Sequence, residues 1–187
     1  VTALDLPGGD FSTIDVARVK HRPGDIRDRA LLGELVREAE IVVNLASVMD
    51  EDRPPTDLEQ VNVHAVIDLY EKCTSSGVQQ LVQLSTGAMC PSRPGPLSED
   101  ISPVPFNGFE RTKLAADEFL LRRSTGESMP VTIIRPAVLV GPGRRPHVAS
   151  LAAVPAILAE LTSRVPRLVG GPRISWVHVQ DVARAVL

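Results

Sequence analysis

The chain has 187 residues, 43% hydrophobic and 23% charged, with a formal net charge of -3. That length builds one sizeable core rather than two ordinary domains, and the composition is that of a soluble globular chain. The charge gives no electrostatic footing for nucleic acid or an anionic membrane, and Cys73 and Cys90 have neither metal-ligand spacing nor a histidine cluster beside them.

Small molecules and other proteins remain as partners, no metal is expected, and a reducing, cytoplasmic compartment fits. No apolar run approaches the length of a membrane span, and the N-terminus lacks the pattern of a signal peptide. The first residue, Val1, falls inside a strand-like run and the last residues inside a helix-like one. Both ends are therefore expected to be cut from a longer chain.

Val1-Thr2-Ala3-Leu4-Asp5 reads as a strand ending in an acid, broken by Pro7-Gly8-Gly9. Val19-Lys20-His21 is a second short strand, and a helix capped by Asp28 follows it to about Ala39. Ile41 to Ala46 is a buried strand. Thr56-Asp57-Leu58-Glu59 has the form of a capping box, which predicts a helix from there to about Ser75 with Gly77 as its stop.

Leu81-Val82-Gln83-Leu84-Ser85-Thr86 is an apolar run that ends in two hydroxyls and Gly87. It reads as a parallel strand. In open α/β sheets ligands sit beyond the carboxyl ends of the strands, so Ser85 and Thr86 emerge where a substrate would be; equally, they can simply cap the next turn.

Prolines at 91, 94, 96, 103 and 105 make the next segment a long loop. A helix over about Asn107 to Arg123 follows, then a strand from Val131 halted at Pro136. Pro146 to Ser163 reads as a helix, Leu168-Val169 and Ile174 to Val177 as short strands, and Val179 to Leu187 as the start of a last helix. Alternating strands and helices predict a parallel sheet covered on both faces.

Several segments carry a family pattern in order: Asp5, Gly24-Asp25-Ile26-Arg27-Asp28, Asn44-Leu45-Ala46-Ser47, Asn62-Val63-His64, Arg135-Pro136 with Val140-Gly141-Pro142-Gly143, and Trp176-Val177-His178-Val179-Gln180-Asp181-Val182-Ala183. Together they resemble the extended short-chain dehydrogenase/reductase family, which includes NAD-dependent epimerases and dehydratases and 3β-hydroxysteroid dehydrogenases.

The resemblance covers almost the whole chain. It implies an α/β, Rossmann-like doubly wound parallel sheet in a single domain, with residues 141–178 contributing the start of the substrate-binding part. It also implies NAD as cofactor. Asp5 would accept the ribose hydroxyls of the adenosine, which disfavours NADP. Asp25 and Ile26 would meet the adenine, and Leu45, Ala46 and Ser47 would line the dinucleotide. Asn62, Ser85, Lys113 and Pro136 complete the cofactor set, while Met89, Val138 and His178 would stand on the substrate side. Taken without the family, Asp5 is a turn aspartate and His64 a surface or packing histidine.

Active members of the family place a Tyr-x-x-x-Lys pair on one helix face beside a Ser or Thr from a strand end. Four residues rise about 6 Å, roughly one turn, so both side chains project together. By resemblance Thr86 takes the hydroxyl role and Lys113 the lysine role, and Phe109 stands where the tyrosine would be. Phenylalanine keeps the ring and loses the titratable atom. Outside the resemblance, Phe109 and Lys113 describe an amphipathic helix with a core aromatic and a solvated lysine. The single tyrosine, Tyr70, lies on another helix with no lysine four residues later. Cys90 is a candidate thiol or a small buried filler.

No glycine-rich phosphate loop occurs in the chain. Because the acid of such a motif lies about 20 residues beyond the glycines, the first β-strand and its loop are expected before Val1. The family's strand order puts that strand between those at Val1 and Ile41, which should leave a slot there. Two functional readings follow: an oxidoreductase, epimerase or dehydratase acting on a hydroxyl or keto group of a small metabolite, and a non-catalytic dinucleotide-binding regulatory or scaffold protein. A homodimer through the helices starting near Thr56 and Asn107 is a further implication of the resemblance.

Overall fold

The computed structural model describes residues 1–9, 17–49, 54–91, 98–125, 129–141 and 175–186. It divides into two units, Val1–Pro136 and Ala137–Leu187.

In the first unit, β1 (Thr2–Asp5) pairs in parallel with β2 (Lys20–Pro23). Helix α1 (Arg29–Val36) begins at Asp28, whose side chain accepts from the backbone N–H groups of Ala30 and Leu31, as its N-cap role requires. Strand β3 (Ile41–Asn44) is followed by one continuous helical run of three parts: α2 (Pro55–Glu59), a π-helical segment (Gln60–His64) and α3 (Ala65–Ser76). Gly77 ends it with φ +77, the left-handed turn that glycine adopts at little cost.

The capping box at Thr56 does not form. Pro54 is the N-cap, makes no side-chain cap bond, and places Pro55 at the first helical position. Proline's fixed φ suits that position, so Thr56 is already inside the helix and its hydroxyl has no orphan N–H to cap.

Strand β4 (Gln80–Leu84) lies between β3 and β5 (Val131–Ile134), all parallel, with Val42 opposite Leu81 and Leu81 opposite Val131. Those three residues share one face, which packs on Leu32 and Val36 of α1, Val66 and Leu69 of α3, and Ala116 and Leu120 of α4 (Gly108–Arg123). The alternate residues of edge strand β3 point away: Ile41 is 55% and Val43 39% exposed. Strands β1 and β3 do not pair. Among the described residues β1 pairs only with β2, and β3 only with β4.

The sole tyrosine is structural. Tyr70 is buried, stands edge-on to Phe119 at 5.7 Å, and donates to the Arg123 carbonyl.

The second unit holds β6 (Val138–Val140) in parallel with β7 (Trp176–His178), and α5 (Val179–Val186). The sequence did not suggest β6, a strand of three residues. The helix expected over Pro146 to Ser163 and the strand at Leu168 lie outside the described residues. Among the described residues no helix is long and apolar enough to cross a membrane.

Candidate functional site

Of the expected site residues in the first unit, Leu45 to Ser47, Ser85, Thr86 and Pro136 follow the carboxyl ends of β3, β4 and β5, whereas Asp5 ends β1 and Asp25 and Ile26 follow β2. Pairing between β4 and β5 runs past the strands themselves: Ser85 N–H donates to the Ile134 carbonyl and Gly87 N–H to the Pro136 carbonyl, each at 2.8 Å. A Cβ on Gly87 would lie 2.9 Å from the Pro136 oxygen and 3.2 Å from that of Arg135. Only glycine permits this approach, which sets the loop carrying Thr86 against the end of β5.

Helix α4 is aimed at the same place. Asn107 caps it by accepting from Glu110 N–H at 2.8 Å, while the Glu110 carboxylate accepts from Phe106 N–H at 2.7 Å and from the Asn107 amide. This reciprocal capping box commits the buried Glu110 to structure. Lys113, one turn after Phe109, is 2% exposed, and its Nζ donates to the Leu84 carbonyl at 2.7 Å. The lysine thus reaches the end of β4, two residues before Thr86, rather than solvent. Burial lowers its pKa from the ordinary 10.5 to about 8, partly opposed by the negative charge of Asp117. Phe109 is half-buried. Thr86 is half-buried and its Oγ1 accepts from Ala88 N–H, so the hydroxyl does cap the turn while its own proton stays available.

A line of buried polar groups lies beneath. Asn44 donates to Gln83 Oε1 across the β3–β4 register, and Gln83 Nε2 donates to the same Leu84 carbonyl that Lys113 uses. Ser85 Oγ donates to Asp117 Oδ2 at 2.8 Å, as does Arg135 Nε. The sequence reading missed Asp117 and Gln83 as side chains of the site, and named Asn44 only as part of the segment Asn44-Leu45-Ala46-Ser47. Asp117 follows Lys113 by four residues, on the same helix face.

Asn62 sits in the π-helical segment. Its Oδ1 accepts from Val48 N–H, and its Nδ2 donates to the Val48 carbonyl and to Thr112 Oγ1. It fastens the loop after β3 to α4, with both amide protons spent. That loop exposes Leu45, Ala46 and Ser47.

Asp5 is exposed at the end of β1, where Oδ1 accepts from Leu6 N–H. Asp25 is tied to Arg27 by its side chain and backbone, an ion pair that holds the carboxylate below its usual range. Ile26 packs on the core. Met89 is fully buried, its carbonyl accepting from Val104 N–H, so its side chain faces the interior. Val138 and His178 belong to the β6–β7 pair of the second unit, where His178 Nδ1 accepts from Gln180 N–H. Cys90 is half-buried. Among the described residues no group of three His, Cys, Asp or Glu side chains is placed to hold a metal ion.

The model of one family, the NAD dependent epimerase/dehydratase family, matches residues 1–187. The chain belongs to this NAD-dependent epimerase/dehydratase family.

Among its relatives is the dTDP-glucose 4,6-dehydratase of Mycolicibacterium smegmatis, 30% identical over 98% of this chain and 57% of that protein. Sterol demethylase protein B of Methylococcus capsulatus is 29% identical over 71% of this chain and 42% of that protein. The dTDP-glucose 4,6-dehydratase DesIV from Streptomyces venezuelae, solved with NAD bound, shares the fold with a TM-score of 0.80 at 23% identity, over 99% of this chain and 60% of that one. The chain therefore spans about half the length of the curated relatives it matches.

Proposed function

We propose that this epimerase/dehydratase-family chain is the cofactor-binding part of an NAD-dependent protein whose substrate is a small metabolite bearing a hydroxyl or keto group, with a sugar nucleotide as the first candidate. The observation that carries this is the Lys113 ammonium held on the Leu84 carbonyl at the end of β4, the residue immediately before Ser85 and Thr86. The donor set suits a dinucleotide. Asp5 keeps one carboxylate oxygen for a ribose diol, Leu45 to Ser47 expose backbone on which a cofactor can lie, and Lys113 uses one of its ammonium protons on Leu84. Pro136, pinned by Gly87, closes the other side of the strand end. NAD, when bound, supplies the hydride acceptor.

The chain's own part in the chemistry is to orient a substrate oxygen through Thr86 and to place a positive charge near the cofactor ribose through Lys113. Moving the proton of the reacting hydroxyl is a step Phe109 cannot perform, since it has no titratable atom. Loss of a positioned acid or base costs about 10² to 10⁴ in rate. That substitution favours the second reading, in which the protein binds the dinucleotide as a structural or sensing ligand without turnover.

Two measurements on the intact protein separate the readings. NAD should raise the thermal midpoint; an unchanged midpoint at saturating NAD removes both. Conversion of a panel of sugar nucleotides, read both as product by chromatography and as net NADH formation, is then followed in wild type and Phe109→Tyr. Equal turnover in both means another group moves the proton, and turnover in the variant alone supports the non-catalytic reading.

A further inference from the structure

The polar groups under the tip of β4 converge on the carboxyl of Asp117. Asp117 is completely buried. Its Oδ2 takes hydrogen bonds from Ser85 Oγ and Arg135 Nε, both at 2.8 Å. Its Oδ1 is buried with no hydrogen-bond partner among the described residues. Lys113 stands one turn earlier on the same helix face, itself buried.

A desolvated carboxylate with one oxygen unbonded is costly unless nearby positive charge offsets it. Arg135 pairs with it directly, and Lys113, one turn away on the same helix face, acts on it through space without an ion-pair contact. Burial pushes the Asp117 carboxyl up, while Arg135, Ser85 and Lys113 hold it down. Of the other charged residues on this stretch of α4, Glu110 is spent on the helix cap, and Arg111 and Glu118 are exposed. β3 and β4 bring only neutral Asn44, Gln83 and Ser85 to the cluster.

We propose that Asp117 is a positioning residue of the site: its carboxylate, shared between Ser85 and Arg135, is the counter-charge that keeps the Lys113 ammonium protonated at the end of β4. The role given to that ammonium rests on the dinucleotide reading; the charge relationship does not. In Asp117's absence the buried lysine faces Arg135 alone and gives up its proton more easily, and Ser85 loses its acceptor.

The test is an NMR titration of lysine side chains labelled with 13C. The other lysines of this chain are Lys20 and Lys72, and Lys113 is assigned by its disappearance in Lys113→Gln. In Asp117→Asn, which keeps shape and hydrogen-bonding capacity, the Lys113 midpoint should fall from about 8 by at least about one pH unit, with Lys20 and Lys72 unmoved. A wild-type midpoint in the folded variant overturns the proposal.

Should the asparagine variant not fold, the reciprocal holds, because coupling between two sites acts equally in both directions. In Lys113→Gln, which retains a donor for Leu84, the Asp117 carboxyl must titrate higher than in wild type; an unmoved carboxyl overturns the proposal. NAD affinity is read on the same samples. If wild type does not bind NAD, the functional reading fails while the titration still decides the part played by Asp117.

Discussion

Lys113 Nζ donates to the Leu84 carbonyl across 2.7 Å. That bond runs from the second turn of α4 to the last residue of β4, and it converts a lysine that could be a solvated surface residue into a fixed charge at a strand end. The neighbouring side chains either hold the two elements in this relation or present themselves beside it.

The first prediction concerns pH. Burial brings the Lys113 pKa to about 8, while the unfolded chain holds the proton to about 10.4. Between these values the unfolded state binds more protons, so this group's contribution to stability rises with pH and its penalty is fully present below 8. The change is on the order of 3 kcal/mol over the whole window. Cys73, pushed up to about 12 by burial, acts oppositely above pH 9. Urea denaturation from pH 7.5 to 9 should therefore show wild-type stability rising relative to Lys113→Met; parallel curves would refute the assignment.

Asn62→Ala removes the clamp between the loop after β3 and helix α4. It leaves Val48 N–H, the Val48 carbonyl and Thr112 without this partner. A loss of about 2 to 3 kcal/mol is expected, the scale of unsatisfied partly buried polar groups. Hydrogen exchange at Val48 should accelerate with it, and unchanged protection there would count against the clamp.

Gly87→Ala forces a methyl against the Pro136 and Arg135 carbonyls. Both are backbone atoms and cannot swing aside, so the ends of β4 and β5 must separate, at a cost of about 1 to 3 kcal/mol. Chemical denaturation measures the cost. A variant as stable as wild type would mean the loop can shift without loss.

Much of this arrangement is legible in the residues themselves. Apolar runs ending at Asn44, Ser85 and Pro136 announce three parallel strands, and Asp28 and Gly77 mark their helix ends as expected. The capping box at Thr56 misleads because a proline at the first helical position takes precedence over a side-chain cap. Asp117 escapes notice because a carboxylate four residues after a lysine usually marks a solvated helix face. Its signal is the shared face with Phe109 and Lys113, which already points inward. Gln83 and Asn44 look like interruptions of apolar strands; only the register that sets them side by side shows that they satisfy each other.

Asp5 offers a test of cofactor choice. A carboxylate facing a 2′-phosphate costs binding through like-charge repulsion, so Asp5→Ser should narrow the preference for NAD over NADP by at least about tenfold. Competition binding of the two dinucleotides to the intact protein measures it, and an unchanged ratio would place Asp5 away from the ribose.

The most direct test of the central claim is calorimetric titration of NAD into the intact protein and its Lys113→Met variant, with retained fold checked by circular dichroism. If the ammonium at the end of β4 meets the cofactor, the variant binds at least about tenfold more weakly, the scale of one charge-assisted hydrogen bond. Equal affinity in a folded variant would contradict the account and leave Lys113 a buried structural cation.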